Sequence, residues 1–106
     1  MLFAVLVALA RPSAAEPPPD VKVPPGTRAT ADGTLVSGRG LRETTDFLAK
    51  ELDRRGIPVQ QVGPYRQRGV EVTRFVSGSP QTPWLAIHVV RIAGKTLISF
   101  VPRAPS

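Results

Sequence analysis

The 106-residue chain contains no cysteine and no asparagine, a single histidine and few aromatic side chains. The absence of cysteine excludes disulfides, thiolate nucleophiles and thiolate metal sites. One imidazole, His88, is too few for a multi-histidine metal centre. We therefore expect no catalytic residues, no metal and no cofactor. A chain this short buries a modest core, so we expect its stability to depend on that core or on a partner.

Acidic residues are also scarce relative to basic ones. The chain has 14 Lys and Arg against 8 Asp and Glu, which gives a net charge of +6, and arginine supplies most of the excess. Arginine excess without asparagine is typical of a GC-rich bacterial genome, so the count alone is weak support for polyanion binding. The net charge still favours association with anionic surfaces.

A long apolar run occurs only at the start of the chain, over residues 2–10, followed by Arg11, Pro12 and small residues up to Ala15. This order is typical of a cleavable signal peptide, although no basic residue precedes the run. A membrane-spanning helix needs about 20 apolar residues, so the run is too short for one. We predict a signal peptide over residues 1–15, no transmembrane segment and an exported protein, either periplasmic or secreted. An apolar start on a cytosolic protein is the alternative.

The segment after the apolar run is rich in proline, with five prolines between Glu16 and Pro25. Proline at this density favours an extended spacer without a packed core. We predict a mostly disordered linker over residues 16–33 and one small domain over residues 34–103.

The clearest local element is a helix over about residues 40–55. Its apolar side chains recur on one stripe: Leu41, Leu48 and Leu52. Gly56 suits the left-handed residue that ends a helix, and Ile57 can then contact Leu52. Pro58 prevents the helix from continuing.

Alternating apolar and polar residues predict strands for much of the remaining chain. The strands fall at residues 34–36, 59–62, 69–77, 84–92 and 96–101. Short connections between strands that follow one helix favour an α+β fold. We predict one helix packed on a small antiparallel β-meander, with the chain order roughly β-α-β-β-β-β.

The last two strands predict a hairpin. Gly94 and Lys95 suit the two central residues of a type II′ turn, which would place Val90 opposite Ser99. A turn at Ala93 and Gly94 would shift the pairs and keep the same faces, because side chains alternate along a strand.

Both faces of this hairpin are substantially apolar, whereas a sheet with one face in water alternates cleanly. One helix covers only one face, and we expect it to cover Leu85, Ile87, Val89, Ile98 and Phe100. The other face is a candidate protein-binding surface because it mixes an aromatic side chain with polar groups. Its candidate residues are Trp84, His88, Val90 and Ser99. Alternatively, the N-terminal segment folds back over this face, or residues 26–36 and 77–83 cover it within the same chain.

Short motifs in the chain do not support a catalytic site. Residues 94–96, Gly-Lys-Thr, end like a phosphate-binding loop, but the required first glycine is Val89 and the segment joins two strands. Residues 38–40, Gly-Arg-Gly, match only part of a dinucleotide-binding fingerprint, and we interpret them as the turn that leads into the helix. His88 could serve as a general base only beside a carboxylate or hydroxyl, and no sequence spacing organises one.

Four arginines near aromatic residues form a second candidate site, for anions: Arg66, Arg68, Arg74 and Arg91. Export argues against intracellular nucleic acid as the partner, so an envelope polyanion or anionic lipid is the expected ligand.

The first hypothesis for the function of the protein is a non-catalytic protein-binding or accessory module of the bacterial envelope or extracellular space, which binds a partner or a second copy through the apolar sheet face. A polyanion-binding module is the alternative, and an enzyme is the third.

Overall fold

The computed structural model describes residues 21–103, so the predicted signal peptide over residues 1–15 and the start of the predicted linker lie outside the described residues. The elements are β1 (Arg28–Ala29), β2 (Leu35–Ser37), α1 (Leu41–Arg54), β3 (Val59–Gln67), β4 (Val70–Ser77), β5 (Trp84–Ile92) and β6 (Lys95–Pro102). The strands form one six-stranded antiparallel sheet in the order β1-β2-β6-β5-β4-β3. The predicted α+β layout is confirmed, and the chain order roughly matches.

Helix α1 begins after Gly40 and ends as its sequence predicts. Gly56 has a φ of +71°, and its N–H donates to the Asp53 carbonyl at 3.0 Å while the Ile57 N–H donates to the Leu52 carbonyl at 2.9 Å. These two bonds define a Schellman ending. Because Leu48 and Leu52 are fully buried against the sheet, α1 covers one of its two faces.

The β5–β6 turn differs from the prediction. Ala93 and Gly94 occupy the turn, with φ of +52° and +76°, and positive φ at both central residues is the mark of a type I′ turn. Val90 therefore lies opposite Leu97 and not Ser99. The prediction of a type II′ turn at Gly94 and Lys95 is wrong. The right-handed twist of two-stranded ribbons accommodates both primed turns, so Gly94 alone does not select between them.

Trp84 and Leu85 are on the opposite sides of the sheet from those predicted. The β5–β6 register shifts between Trp84 and Ala86, and such a bulge places one extra residue in one strand. Trp84 is only 1% exposed, and its ring meets Phe100 edge-on at 6.3 Å. Leu85 is 43% exposed, so it is not part of the helix-covered core. Of the other predicted core residues of this hairpin, Ile87, Val89 and Ile98 are fully buried on the α1 side. Phe100 is partly buried and packs against the same core.

Strand β3 continues through Gly63 and Pro64, beyond the predicted strand over residues 59–62. Its pairing with β4 is interrupted after Val62 and resumes at Tyr65. β3 lies at the edge of the sheet, and an edge strand tolerates proline because its outward N–H has no strand partner to lose.

The packed domain begins earlier than residue 34. Val21 and Pro24 are buried, and the Lys22 N–H donates to Glu51 Oε2 at 3.3 Å. Arg28 and Ala29 then add the short strand β1 beside β2. Apolar side chains of residues 21–24, within the segment predicted as a linker, therefore pack against the helix and sheet.

Both ends of the described chain lie near the carboxyl-terminal end of α1. Lys22 contacts Glu51 in the last part of the helix. Arg103 Nε donates to the Thr82 carbonyl at 2.8 Å, in a loop whose Gly78 N–H donates to the carbonyl of Pro58 just after the helix. No helix within residues 21–103 is long and apolar enough to cross a bilayer.

Candidate functional site

The two segments that could have covered the second sheet face do not cover it. Residues 28–29 and 35–37 join the sheet as β1 and β2, which widens the face. The loop over residues 77–83 is held beside the end of α1 through Pro58 and Arg103. The sheet face turned away from α1 therefore has no covering element within residues 21–103, and we name it the open face.

The open face is lined by aliphatic side chains from β2 to β6. They are Val36, Val62, Val70, Val72, Val76, Val90, Ile92, Leu97 and Val101. Most of them are partly exposed, and Ile92 is 41% exposed. Tyr65, which is 46% exposed, extends the same face on β3. A sheet face in contact with water usually carries polar side chains, so this surface is of the kind that marks an interaction site.

Three of the four residues predicted for a protein-binding surface lie on the open face. His88 is opposite Ser99, and Val90 is opposite Leu97. Trp84 is the exception, because the bulge after it turns its side chain into the core. The sequence offers no direct signal for this bulge, since the shift is a property of the pairing between β5 and β6.

Arg74 lies on the open face, and sequence analysis did not assign it to this surface. Its cross-strand neighbours are His88 on β5 and Val62 on β3. The Arg74 Nε is buried and has no hydrogen-bond partner among the described residues. Burial, and secondarily the positive charge of Arg74, holds the pKa of His88 below its ordinary value. His88 is therefore neutral near pH 7, and Arg74 carries the charge at this point.

The surroundings of His88 do not resemble a catalytic arrangement. A general base is usually oriented by a carboxylate or a hydroxyl within hydrogen-bond reach. Ser99 is a cross-strand neighbour, yet no hydrogen bond joins it to His88 in the described part of the chain. Its cross-strand neighbour Arg74 carries a positive charge, which disfavours an imidazolium.

The four arginines proposed for anion binding do not form one patch. Arg74 lies on the open face, whereas Arg66 pairs with Glu71 at 3.3 Å on the α1 side. Arg91 also lies on the α1 side, where its Nη1 donates to Thr96 Oγ1 at 2.8 Å. Arg68 occupies the β3–β4 turn with a φ of +53°. The sheet separates these cations, so the geometry does not favour a continuous polyanion site.

A cleft of about 690 Å³ lies on the α1 side, between the first turns of the helix and strands β3 to β5. Its polar lining carries both signs of charge: Arg42, Glu43, Asp46, Glu71 and Arg91. Thr45 and Thr73 also line it, and their buried Oγ1 atoms have no partner among the described residues. The sequence does not predict this cleft, because residues from four separate elements form it. The sheet separates this cleft from His88.

Comparisons with protein-family models, with curated proteins and with solved structures give no match to this chain.

Proposed function

We propose that the protein is a non-catalytic binding module that docks another protein on the open face. The observation that carries this proposal is the aliphatic surface spread over five strands, with no covering helix or loop within residues 21–103. Burial of apolar surface stabilises a complex by roughly 25 cal/mol per Å² before the costs of association are subtracted. A face of this composition is better suited to a partner's side chains than to water.

The alternative module, which binds a polyanion, receives less support from the geometry. Charge-driven binding needs several cations on one surface, and the candidate arginines lie on both sides of the sheet and in a turn. The predicted export is consistent with either module and lies outside the described residues.

The test compares retention of envelope proteins by the immobilised full chain and by two variants. Val90→Asp places a charge in the middle of the open face. Gln81→Asp is the matched control, because it makes the same change in net charge at an exposed loop position away from this face. We expect the native chain and Gln81→Asp to retain the same protein through washes of high salt, because apolar contacts are not screened. Val90→Asp should lose it.

Two further measurements make this outcome specific. Thermal unfolding of Val90→Asp must remain cooperative, which separates a lost contact from a lost fold. Hydrogen exchange in the complex should show protection on β4 to β6 at open-face positions. Equal retention by Val90→Asp, or protection confined to α1, would refute docking on the open face. Release by moderate salt would favour the polyanion-binding alternative.

A further inference from the structure

We infer that the protein that docks on the open face places a carboxylate against Arg74. This inference rests on the proposed function and names the chemistry of the partner: a polypeptide surface that combines apolar side chains with an Asp or Glu. The observations that carry it are the position of Arg74, its unpartnered donor and the distribution of charge on the open face.

Arg74 lies near the middle of β4, between Val72 and Val76 along its strand. Its cross-strand neighbours, Val62 and His88, supply no negative charge. The Nε is already buried without a partner, so the remaining guanidinium donors depend on water. A partner that covers the surrounding valines would remove that water, and an unpaired charged donor is costly to bury. The docked state therefore requires an acceptor at Arg74.

A carboxylate is the acceptor that fits best, because its two oxygens match two parallel guanidinium N–H groups. The open face has no acid of its own within residues 21–103. The acidic side chains of that range lie in the β1–β2 turn, on α1 and on the α1 side of β4: Asp32, Glu43, Asp46, Glu51, Asp53 and Glu71. Arg28 and Lys95 add further positive charge at the border of the face.

A second copy of this chain is a poor occupant. A two-fold dimer would bring the same patch of each copy together, so Arg74 and His88 would face a surface that also lacks carboxylates within residues 21–103. Neither Arg74 would gain an anionic partner, and like charges would be desolvated. The charge distribution therefore favours a different, acidic polypeptide.

An anionic membrane is also less suitable than a polypeptide. Headgroup phosphates lie at the polar boundary of a bilayer, whereas Arg74 is surrounded by aliphatic side chains on three strands. A side-chain carboxylate within an apolar protein surface can reach such a position, and its neighbours can cover the valines.

The test uses the full chain and three synthetic amphipathic peptides that share one leucine face. The peptides carry Glu, Gln or Lys at one central position of that face, where the side chain can reach Arg74 among its aliphatic neighbours. Two-dimensional NMR follows the backbone amides and the Arg74 Nε–H resonance during each titration. We expect the Glu peptide to shift the open-face amides and the Arg74 signal. The Gln peptide should bind at least about 10-fold more weakly, since it loses a hydrogen bond between charged groups.

Arg74→Gln should remove the preference for the Glu peptide and keep the native pattern of amide signals. Arg66→Gln is the matched control, because Arg66 carries the same charge on the opposite face, and it should retain the preference. In Arg74→Gln the pKa of His88 should rise, since the guanidinium charge contributes to holding it low. This last readout reports the local charge independently of any peptide.

Outcomes that overturn the inference are distinct from those that overturn the proposed function. Equal binding of the Glu and Gln peptides at the open face, or a preference that survives Arg74→Gln, refutes the carboxylate contact and leaves docking intact. If no peptide shifts the open-face amides, the result counts against both the carboxylate contact and the proposed function. Open-face shifts that depend on protein concentration alone, or that arise with phosphatidylglycerol vesicles and not with peptides, would assign the face to a second copy or to a membrane.

Discussion

Ala93 is not the residue that best suits its position in the β5–β6 turn. Its φ of +52° is costly for a side chain with a Cβ, by about 1 kcal/mol, whereas asparagine tolerates it and Asn-Gly is the preferred type I′ pair. Ala93→Asn should raise the free energy of unfolding by about 1 kcal/mol in chemical denaturation. Ala31→Asn, at an exposed turn position that lacks positive φ, should leave it unchanged. A gain in both variants would point to a general effect of asparagine.

Gly63 is a residue at which two separate constraints act. Its φ is +96°, and a Cβ built on it would lie 2.7 Å from the Val72 carbonyl oxygen. Gly56 has a φ of +71° with nothing near its Cβ position, so Gly56→Ala measures the cost of the backbone conformation alone, about 1 kcal/mol. Gly63→Ala should cost roughly 2–3 kcal/mol, because backbone must also shift. Equal losses of unfolding free energy in the two variants would show that the β3 backbone shifts at Gly63 without a further energetic cost.

At the scale of elements, Glu51 joins the first described residues to α1. Its carboxylate accepts from Arg54 Nη2 at 2.8 Å, from Arg55 Nε at 3.0 Å and from the Lys22 N–H at 3.3 Å. The hydrogen bond from Arg54 is the main cause that holds the pKa of Glu51 below its ordinary value of 4.5, and it outweighs the opposing effect of burial.

This shift predicts how stability depends on pH. Because the pKa is lower in the folded state, the contribution of Glu51 is fully present above about pH 4.5 and is lost as the pH falls through the lowered folded value. Glu51→Gln should reduce the unfolding free energy near neutral pH by about 1 kcal/mol and flatten its fall in acid. Glu43→Gln, on the exposed first turn of α1, is the control. An unchanged acid profile in Glu51→Gln would contradict this role.

The elements that sequence predicts correctly are those specified by neighbouring residues. The end of helix α1 is specified by Gly56 and Ile57, which directly follow it in the sequence. The alternation in β5 and β6 assigns Ile87, Val89 and Ile98 to the core. The features that sequence missed depend on distant partners. The bulge at Trp84 depends on its pairing with β6. The burial of Val21 depends on a helix that comes much later in the chain.

Across the molecule as a whole, the sequence indicates which sheet face carries the candidate site, but it does not indicate which side chains are neighbours on that face. An excess of apolar residues on both sides of one hairpin indicates a sheet face without a cover, and alternation alone places His88, Val90 and Ser99 on it. Arg74 joins them only through the register between β4 and β5. The intervening loop does not reveal that register, because its length allows several pairings.

The two ends of the described residues lie close together, and this has a practical consequence for attaching the domain to a surface. Lys22 and Arg103 both lie near the carboxyl-terminal end of α1, and the strands run from there to the turns at Arg68 and Ala93 and back. A tether attached at Lys22 or at Arg103 therefore leaves both hairpin tips pointing away from the point of attachment. Anchored by one end to a surface, the domain would present its open face sideways, accessible along its length to a neighbour anchored beside it.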